Sequence, residues 1–242
     1  MKKRLDLLLV EKSFFNSRTN AQVHIIAGEV FVNDEKVLTP SKLIDSGSRI
    51  EIKLLKDSFV SRGGIKLEEA INYYQINIKD KICLDIGAST GGFTDCLLRK
   101  EALKVYSVDV GYGQLDYKLR NHNKVVNIEK LNARYLTKNK VPDQIDVIVM
   151  DVSFISITKF EKFFSEFSNN KNIFIGLIKP QFELSSDKIG KNGIVKNSEF
   201  REYAVNNVRN FLSKFYNQLY KTIESPIKGA KGNIEYLICC KN

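Results

Sequence analysis

Beyond residue 80 the chain alternates between two hydrophobic periods. Short runs that are apolar throughout, of the kind a parallel sheet buries on both faces, are separated by stretches whose apolar residues recur every three or four positions. The runs predict strands at 82–84, 104–109, 125–128, 145–151 and 173–178, with two more near 219–223 and 234–240. The longer stretches predict helices at 94–99, around 157–167 and over 199–215, where Phe200, Ala204, Val208, Phe211 and Leu212 share one face. Seven strands with helices between them predict an α/β fold, a Rossmann-like doubly wound sheet.

The first 58 residues read differently. Leu5, Leu8 and Leu9 predict a helix to about Lys12, and Ser17 caps a second one that stops at Gly28. Val30-Phe31-Val32, a turn at Asn33-Asp34-Glu35 and Lys36-Val37 predict a hairpin, and the alternation from Ile50 to Leu54 predicts another strand. The expected division is a small α+β domain over 1–58, a linker over 59–65 and an α/β domain over 66–242. That last domain opens with a helix carrying Lys66, Leu67 and Ala70.

Composition narrows the class. With 242 residues, 43% hydrophobic and 27% charged, the chain has the make-up of a globular protein with room for a proper core. No apolar run approaches the roughly 18 residues of a membrane span, and Asp6 and Glu11 interrupt the basic, leucine-rich start, against a secretory signal. The four cysteines form no C-x-x-C pair, and buried, reduced thiols in a cytoplasmic protein are expected. His24 and His122 stand alone, so no metal site is expected. The net charge of +10 suggests an anionic partner such as nucleic acid. Residues 1–60 hold 10 basic and 8 acidic side chains, or +2, which leaves +8 for the remainder, so the excess is spread along the chain.

The candidate chemistry centres on Asp85-Ile86-Gly87-Ala88-Ser89-Thr90-Gly91-Gly92-Phe93. A strand that breaks into a glycine turn and then a helix is how open α/β sheets build a ligand site. The spacing Gly-x-x-x-Gly-Gly is neither the dinucleotide fingerprint nor a P-loop. Asp85 at the strand tip would repel a phosphate and attract an ammonium, and Asp109, ending the next strand, suits two ribose hydroxyls. A solvated turn in an ordinary βαβ unit is the bland alternative; two acids in register favour a ligand. Acid, glycine turn and second acid resemble the S-adenosylmethionine site of Rossmann-like methyltransferases. That resemblance implies contacts from Asp85, Gly87, Ala88, Ser89, Thr90, Gly91, Gly92, Phe93, Asp109, Asn132 and Asp151.

Arg4-Leu5-Asp6, Ser17-Arg18, Gln22, Ile26-Ala27-Gly28-Glu29-Val30, Val32-Asn33 and Ile44-Asp45-x-Gly47 resemble the S4 RNA-binding domain. The resemblance implies that the surface with the second helix faces RNA. Arg18 and Gln22, one turn apart, become candidate contacts, with Arg4, Ser17, Lys36 and Arg62 beside them. A small packing or protein-binding domain is the alternative.

Lys66, Asp151, Lys179 and Glu235 fall at the ends of predicted elements on the ligand side of such a sheet. Singly each is commonplace, but together they match the Lys-Asp-Lys-Glu set of RrmJ/FtsJ-like RNA ribose 2′-O-methyltransferases. The stretches Phe59-Val60-Ser61-Arg62-Gly63-Gly64-x-Lys66-Leu67, Val108-Asp109-Val110-Gly111-Tyr112-Gly113-Gln114-Leu115, Asp151-Val152-Ser153-Phe154-Ile155-Ser156 and Lys179-Pro180-Gln181-Phe182-Glu183 extend the match. The whole chain resembles the haemolysin-A-like, TlyA-type, ribosomal RNA cytidine 2′-O-methyltransferases. It is most similar to the shorter subgroup, which implies the large ribosomal subunit rather than the small one as target.

The chemistry this implies is undemanding in covalent terms. The sulfonium methyl is already electrophilic, so the enzyme has to align it with the 2′-oxygen at about 3 Å and help remove a proton. Lys179 is the expected proton acceptor. Burial beside Lys66 favours its neutral form, while Asp151 favours the charged form and orients it. Glu235 is expected to hold Lys66 or the ribose. Amino-group methylation calls for an Asn/Asp-Pro-Pro-aromatic block where this chain reads Asp151-Val152-Ser153-Phe154, and base-carbon methylation calls for a cysteine that no ligand loop supplies. A non-catalytic ribosome-binding or assembly factor is the alternative from a different class. A membrane-lytic toxin, suggested by the family's name, finds no spanning segment or long amphipathic helix in support.

Overall fold

The computed structural model describes residues 2–15, 17–26, 28–52, 59–168, 171–229 and 231–242. It falls into two compact units, residues 1–61 and 62–242.

In the first unit, strand β1 (Lys2–Arg4) leads directly into helix α1 (Leu5–Glu11), which packs on α2 (Arg18–Ile26). Strands β2 (Val30–Val32) and β3 (Glu35–Lys36) form the hairpin, followed by β4 (Leu43–Asp45) and β5 (Ile50–Ile52). Ser17 Oγ accepts the Asn20 amide at 3.2 Å, the cap expected for α2. The hairpin turn is shorter than the sequence suggests. Asn33 (φ 49°) and Asp34 (φ 67°) are both left-handed, and Val32 pairs with Glu35, which therefore belongs to the strand. Two consecutive positive φ values match the right-handed strand twist. β5 pairs with β2; Lys53 and Leu54, predicted to continue it, lie outside the described residues. The antiparallel pair β1–β4, with Lys3 opposite Ile44, has no counterpart among the predicted strands. Leu5, Leu8, Leu9, Ala21, Ile25 and Val30 fill the core between helices and sheet.

The second unit begins with α3 (Gly63–Tyr73), so the last three residues of the expected linker are helical. Then come β6 (Ile82–Ile86), α4 (Gly92–Arg99), β7 (Lys104–Val108), the short α5 (Tyr117–Arg120) and β8 (Val125–Ile128). β9 (Val147–Met150), α6 (Glu161–Phe167), β10 (Ile173–Ile178), α7 (Pro180–Glu183) and α8 (Ser198–Leu212) follow. β11 (Gln218–Leu219), β12 (Ile223–Glu224) and β13 (Tyr236–Lys241) complete the chain. The sheet order is β11-β13-β10-β9-β6-β7-β8, with β12 also on β13. The five strands from β8 to β10 run parallel, and β13 is antiparallel to β10.

The sheet thus has eight strands in seven places, where the sequence suggested seven strands. The edge predicted as one strand near 219–223 is broken into β11 and β12, and at the break side chains donate to its carbonyls. Arg209 Nη1 donates to Tyr220 O at 2.7 Å, and Tyr74 Oη donates to Lys221 O at 2.9 Å. The helix expected around 157–167 splits into a 3-10 turn at Ile157–Lys159 and α6, and α8 stops at Leu212. On one face Phe163, Phe164, Phe174, Phe211 and Tyr216 pack α6 and α8 against the strands. All four cysteines are free and buried. After β8 the chain returns to the other side of β6, so β6 and β9 flank the switch point where such sheets open a crevice at the carboxyl ends of the strands.

Candidate active site

The turn after β6 is held by backbone geometry that only glycine tolerates at two places. Gly87 has φ 83°, and a Cβ there would stand 2.5 Å from the Asp151 carbonyl oxygen beyond β9. Gly91 has φ 98°, and its Cβ would meet Leu119 Cδ1 at 2.3 Å. Gly87 and Ala88 donate to Val108 O, which fastens the turn to β7. Asp109 completes this seam, its Oδ2 accepting the Ser89 amide at 2.8 Å and its Oδ1 the Gly111 amide at 2.7 Å. Ser89 and Thr90 are exposed, whereas Ala88, Gly91, Gly92 and Phe93 are buried. Asn132 lies beside Asp109, because Leu131 N donates to Asp109 O. Its side-chain oxygen caps the 3-10 turn Ala133–Tyr135, accepting from Arg134 N at 3.1 Å.

Asp85 sits deeper than a strand-tip acid. It is the fourth residue of β6, and α4 covers it completely. Its Oδ2 accepts Thr94 Oγ1 at 2.6 Å, and Thr94 Oγ1 is 2.7 Å from Ser107 Oγ. Its Oδ1 has no hydrogen-bond partner among the described residues. Burial pushes the Asp85 carboxyl up to about 7, with the charge of Asp151 adding to the rise and the Thr94 hydrogen bond opposing it. A buried carboxylate with an unmatched oxygen fits a cationic donor such as an ammonium group, and the bare backbone at Gly87 fits a ligand lying close. The residues present therefore fit a cofactor with a charged amine.

The four polar residues of the tetrad form two ion pairs. Lys179 Nζ lies 2.6 Å from Asp151 Oδ1 without the alignment of a hydrogen bond, and donates to Ser153 Oγ at 2.8 Å. Lys66, on α3, donates to Glu235 Oε2 at 2.5 Å. Lys66, Lys179 and Glu235 are buried and Asp151 is half-buried. Ile178 pairs with Tyr236 at the end of the antiparallel ladder, so Lys179 directly follows β10 and Glu235 directly precedes β13 at the same end of the sheet. Each lysine thus has a carboxylate partner, Glu235 for Lys66 and Asp151 for Lys179.

The chain is similar to known proteins over both units. Residues 59–242 match the FtsJ-like methyltransferases and residues 3–50 the S4 domain. The chain belongs to the FtsJ-like methyltransferase family. Hemolysin A of Brachyspira hyodysenteriae is 48% identical over 236 residues, 97% of this chain and 98% of that protein. The 16S/23S rRNA (cytidine-2′-O)-methyltransferase TlyA of Mycobacterium tuberculosis is 34% identical over 236 residues, 97% of this chain and 88% of its own. A solved structure of a hemolysin-named protein from Streptococcus thermophilus superposes with a TM-score of 0.76 at 36% identity, covering 100% of this chain and 89% of that one.

As an FtsJ-like methyltransferase the protein is an enzyme that draws its methyl group from S-adenosylmethionine, with an S4 domain ahead of the catalytic part. The structure adds residues near the four candidate polar side chains that sequence patterning did not single out. Phe154, one residue past Ser153, is left-handed (φ 64°) and 91% exposed, its ring tilted against Phe182 at 5.2 Å between centroids. A bulky aromatic in that backbone region is strained and is held there by its surroundings. Glu183 is one such restraint, accepting from the Ile157 amide at 2.9 Å and from Ser156 Oγ. Both residues lie in stretches that carry the family resemblance, but no periodicity marks them.

The S4-side candidates are placed less uniformly. Arg4, Arg18 and Gln22 all donate to the carboxylate of Asp6. Ser17 caps α2, and Lys36 is exposed, its Nζ 5.8 Å from the Phe31 ring centroid. Arg62 belongs to the second unit and donates to Lys228 O at 2.9 Å. Among the described residues no group of three His, Cys, Asp or Glu could hold a metal ion, and no helix is long and apolar enough to cross a membrane.

Proposed function

We propose that the protein methylates the ribose 2′-hydroxyl of a cytidine in ribosomal RNA, with the large subunit as its target and the cytoplasm as its place of work. The observation that carries this reading is the two ion pairs, Lys179–Asp151 and Lys66–Glu235, whose members Lys179 and Glu235 adjoin the paired ends of β10 and β13. When bound, S-adenosylmethionine supplies an electrophilic methyl. Asp85 and the backbone of Gly87 and Ser89 hold the cofactor, Asp109 meets its ribose, and Asn132 lies on the adenine side. Lys179, after releasing its own proton to solvent, accepts the proton of the 2′-hydroxyl as the oxygen–methyl bond forms and the sulfonium–methyl bond breaks, with Asp151 and Ser153 holding its amine in place. Lys66, fixed by Glu235, orients the ribose oxygen. Phe154 offers its exposed face to a base. Arg4, Ser17, Arg18, Gln22, Lys36 and Arg62 contact the RNA backbone.

The relatives support this reading through the activity named for the Mycobacterium tuberculosis protein. Mapping ribose methylation in ribosomal RNA from cells with and without the gene tests it. The expected result is one or more large-subunit cytidines that lose their 2′-O-methyl group. Identical maps from both strains would favour the assembly-factor reading instead.

A further inference from the structure

The first unit contains a charge cluster that its fold does not obviously need. Asp6 opens α1 with no exposed surface. Arg4 grips it through Nε (3.0 Å to Oδ1) and Nη2 (2.9 Å to Oδ2), Arg18 through Nε (2.9 Å to Oδ2) and Gln22 through Nε2 (2.7 Å to Oδ2). The Arg4 and Arg18 side chains are nevertheless 38% and 52% exposed. Among the described residues neither Nη group of Arg18, nor Nη1 of Arg4, has a hydrogen-bond partner. Two guanidiniums around one carboxylate leave one net positive charge, with a row of N–H groups turned to solvent. Free arginines lose rotamer entropy when they capture a phosphate, and these two have already lost it to Asp6.

We infer that Asp6 is a positioning residue that converts Arg4 and Arg18 into a preset phosphate fork for the RNA backbone. The inference rests on the RNA-binding reading of this unit and goes further by giving the buried acid a role in affinity. Two bonds from the carboxylate fix the plane of the Arg4 guanidinium, and the bond from Arg18 Nε aims its terminal nitrogens outward. The arginine donors hold the Asp6 carboxyl well below the usual carboxylate range, so the anchor stays ionised throughout the pH range of the cell.

Simple electrostatics and positioning make opposite forecasts here. Asp6→Asn removes a negative charge from an RNA-facing surface, so by Coulomb attraction alone it should tighten RNA binding. If Asp6 positions the fork, the same variant should weaken binding roughly tenfold and flatten the dependence of log K on log salt by about one to two ions. The experiment measures binding of the full-length protein to a ribosomal RNA fragment carrying the target, over a salt series. Cofactor affinity and thermal stability serve as checks on the fold. Arg4→Lys and Arg18→Lys give an independent arm, since each keeps its charge but cannot hold Asp6 and present an outward edge together. The expected result is that both lysine variants lose RNA affinity almost as fully as the alanine variants. Lysine variants that bind like the wild type, or an Asp6→Asn protein that is folded and binds as tightly or more tightly, overturn the proposal. Should Asp6→Asn fail to fold, the lysine arm decides. Alanine variants with undiminished binding would instead remove this surface from the RNA contact, and the proposal with it.

Discussion

Asp6 and Asp85 are both aspartates without exposed surface, one in each unit, and their surroundings drive them in opposite directions. Asp6 receives two arginines and a glutamine, and its carboxyl is held below the ordinary range. Asp85 receives one threonine hydroxyl, keeps an oxygen unmatched and is pushed up to about 7. Burial is common to both; the number and charge of the donors differ. The first carboxylate is complete without a ligand and works through the side chains it holds. The second is left with an unmatched oxygen by its own fold, and the proposed cofactor amine would supply the missing partner. The pairs Lys179–Asp151 and Lys66–Glu235 differ from both, since each buried lysine has a carboxylate partner.

The largest expected effect lies in the methyltransferase unit. Lys179→Ala should lower single-turnover methyl transfer by roughly 10²–10⁴-fold with cofactor affinity nearly unchanged. Lys179→Arg should rescue little, because a guanidinium does not give up its proton. An arginine variant with near-normal, pH-independent rate would make Lys179 a fixed charge and assign catalysis to alignment.

Asp85→Asn comes next. It leaves an acceptor for Thr94 and removes the charge that a ligand ammonium would meet, so calorimetry should show S-adenosylmethionine affinity reduced about 10–100-fold. Wild-type affinity should also rise from pH 5 to pH 8 as Asp85 ionises, and the asparagine variant should lack that rise. Equal affinities across this range would mean that Asp85 is a structural acid like Asp6, and the contrast between them would collapse.

Gly87→Ala should cost about 1–3 kcal/mol of stability, since its φ of 83° strains an alanine and its Cβ would press the Asp151 carbonyl from 2.5 Å. Denaturant titration measures the loss. Turnover should fall further than stability does, because Asp151 moves with its backbone.

The smallest effect is in the pH dependence of stability. A carboxyl whose folded-state pKa lies above its unfolded value of about 3.9 stabilises the fold at low pH, and this contribution is lost as pH rises toward 7. Without cofactor, Asp85→Asn should therefore gain on the wild type by a few degrees of Tm between about pH 4 and pH 7. Asp6 has the opposite sign. Its contribution is present above about pH 4 and is lost on further acidification, so Asp6→Asn should approach the wild type only in strong acid.

Strand content, helix faces and the glycine turn were legible in the sequence because they depend on local periodicity and on residues with special backbone freedom. β6–β10 fall within a few residues of their apolar runs, and Ser17 caps α2 where the sequence places it. The four polar residues Lys66, Asp151, Lys179 and Glu235 were picked out by their resemblance to the set of the FtsJ-like methyltransferases, since each alone is commonplace. Asp151 beside Lys179 and Glu235 beside Lys66 or the ribose were expected partners; the tertiary structure decided that Glu235 takes Lys66, across 169 positions, with Lys179 on Asp151. It also decided that Asp85 lies beneath α4, that Phe154 stands exposed in a left-handed turn, and that two arginines predicted to face RNA first face Asp6. Those outcomes depend on contacts between residues distant along the chain, on which hydrophobic period carries no information.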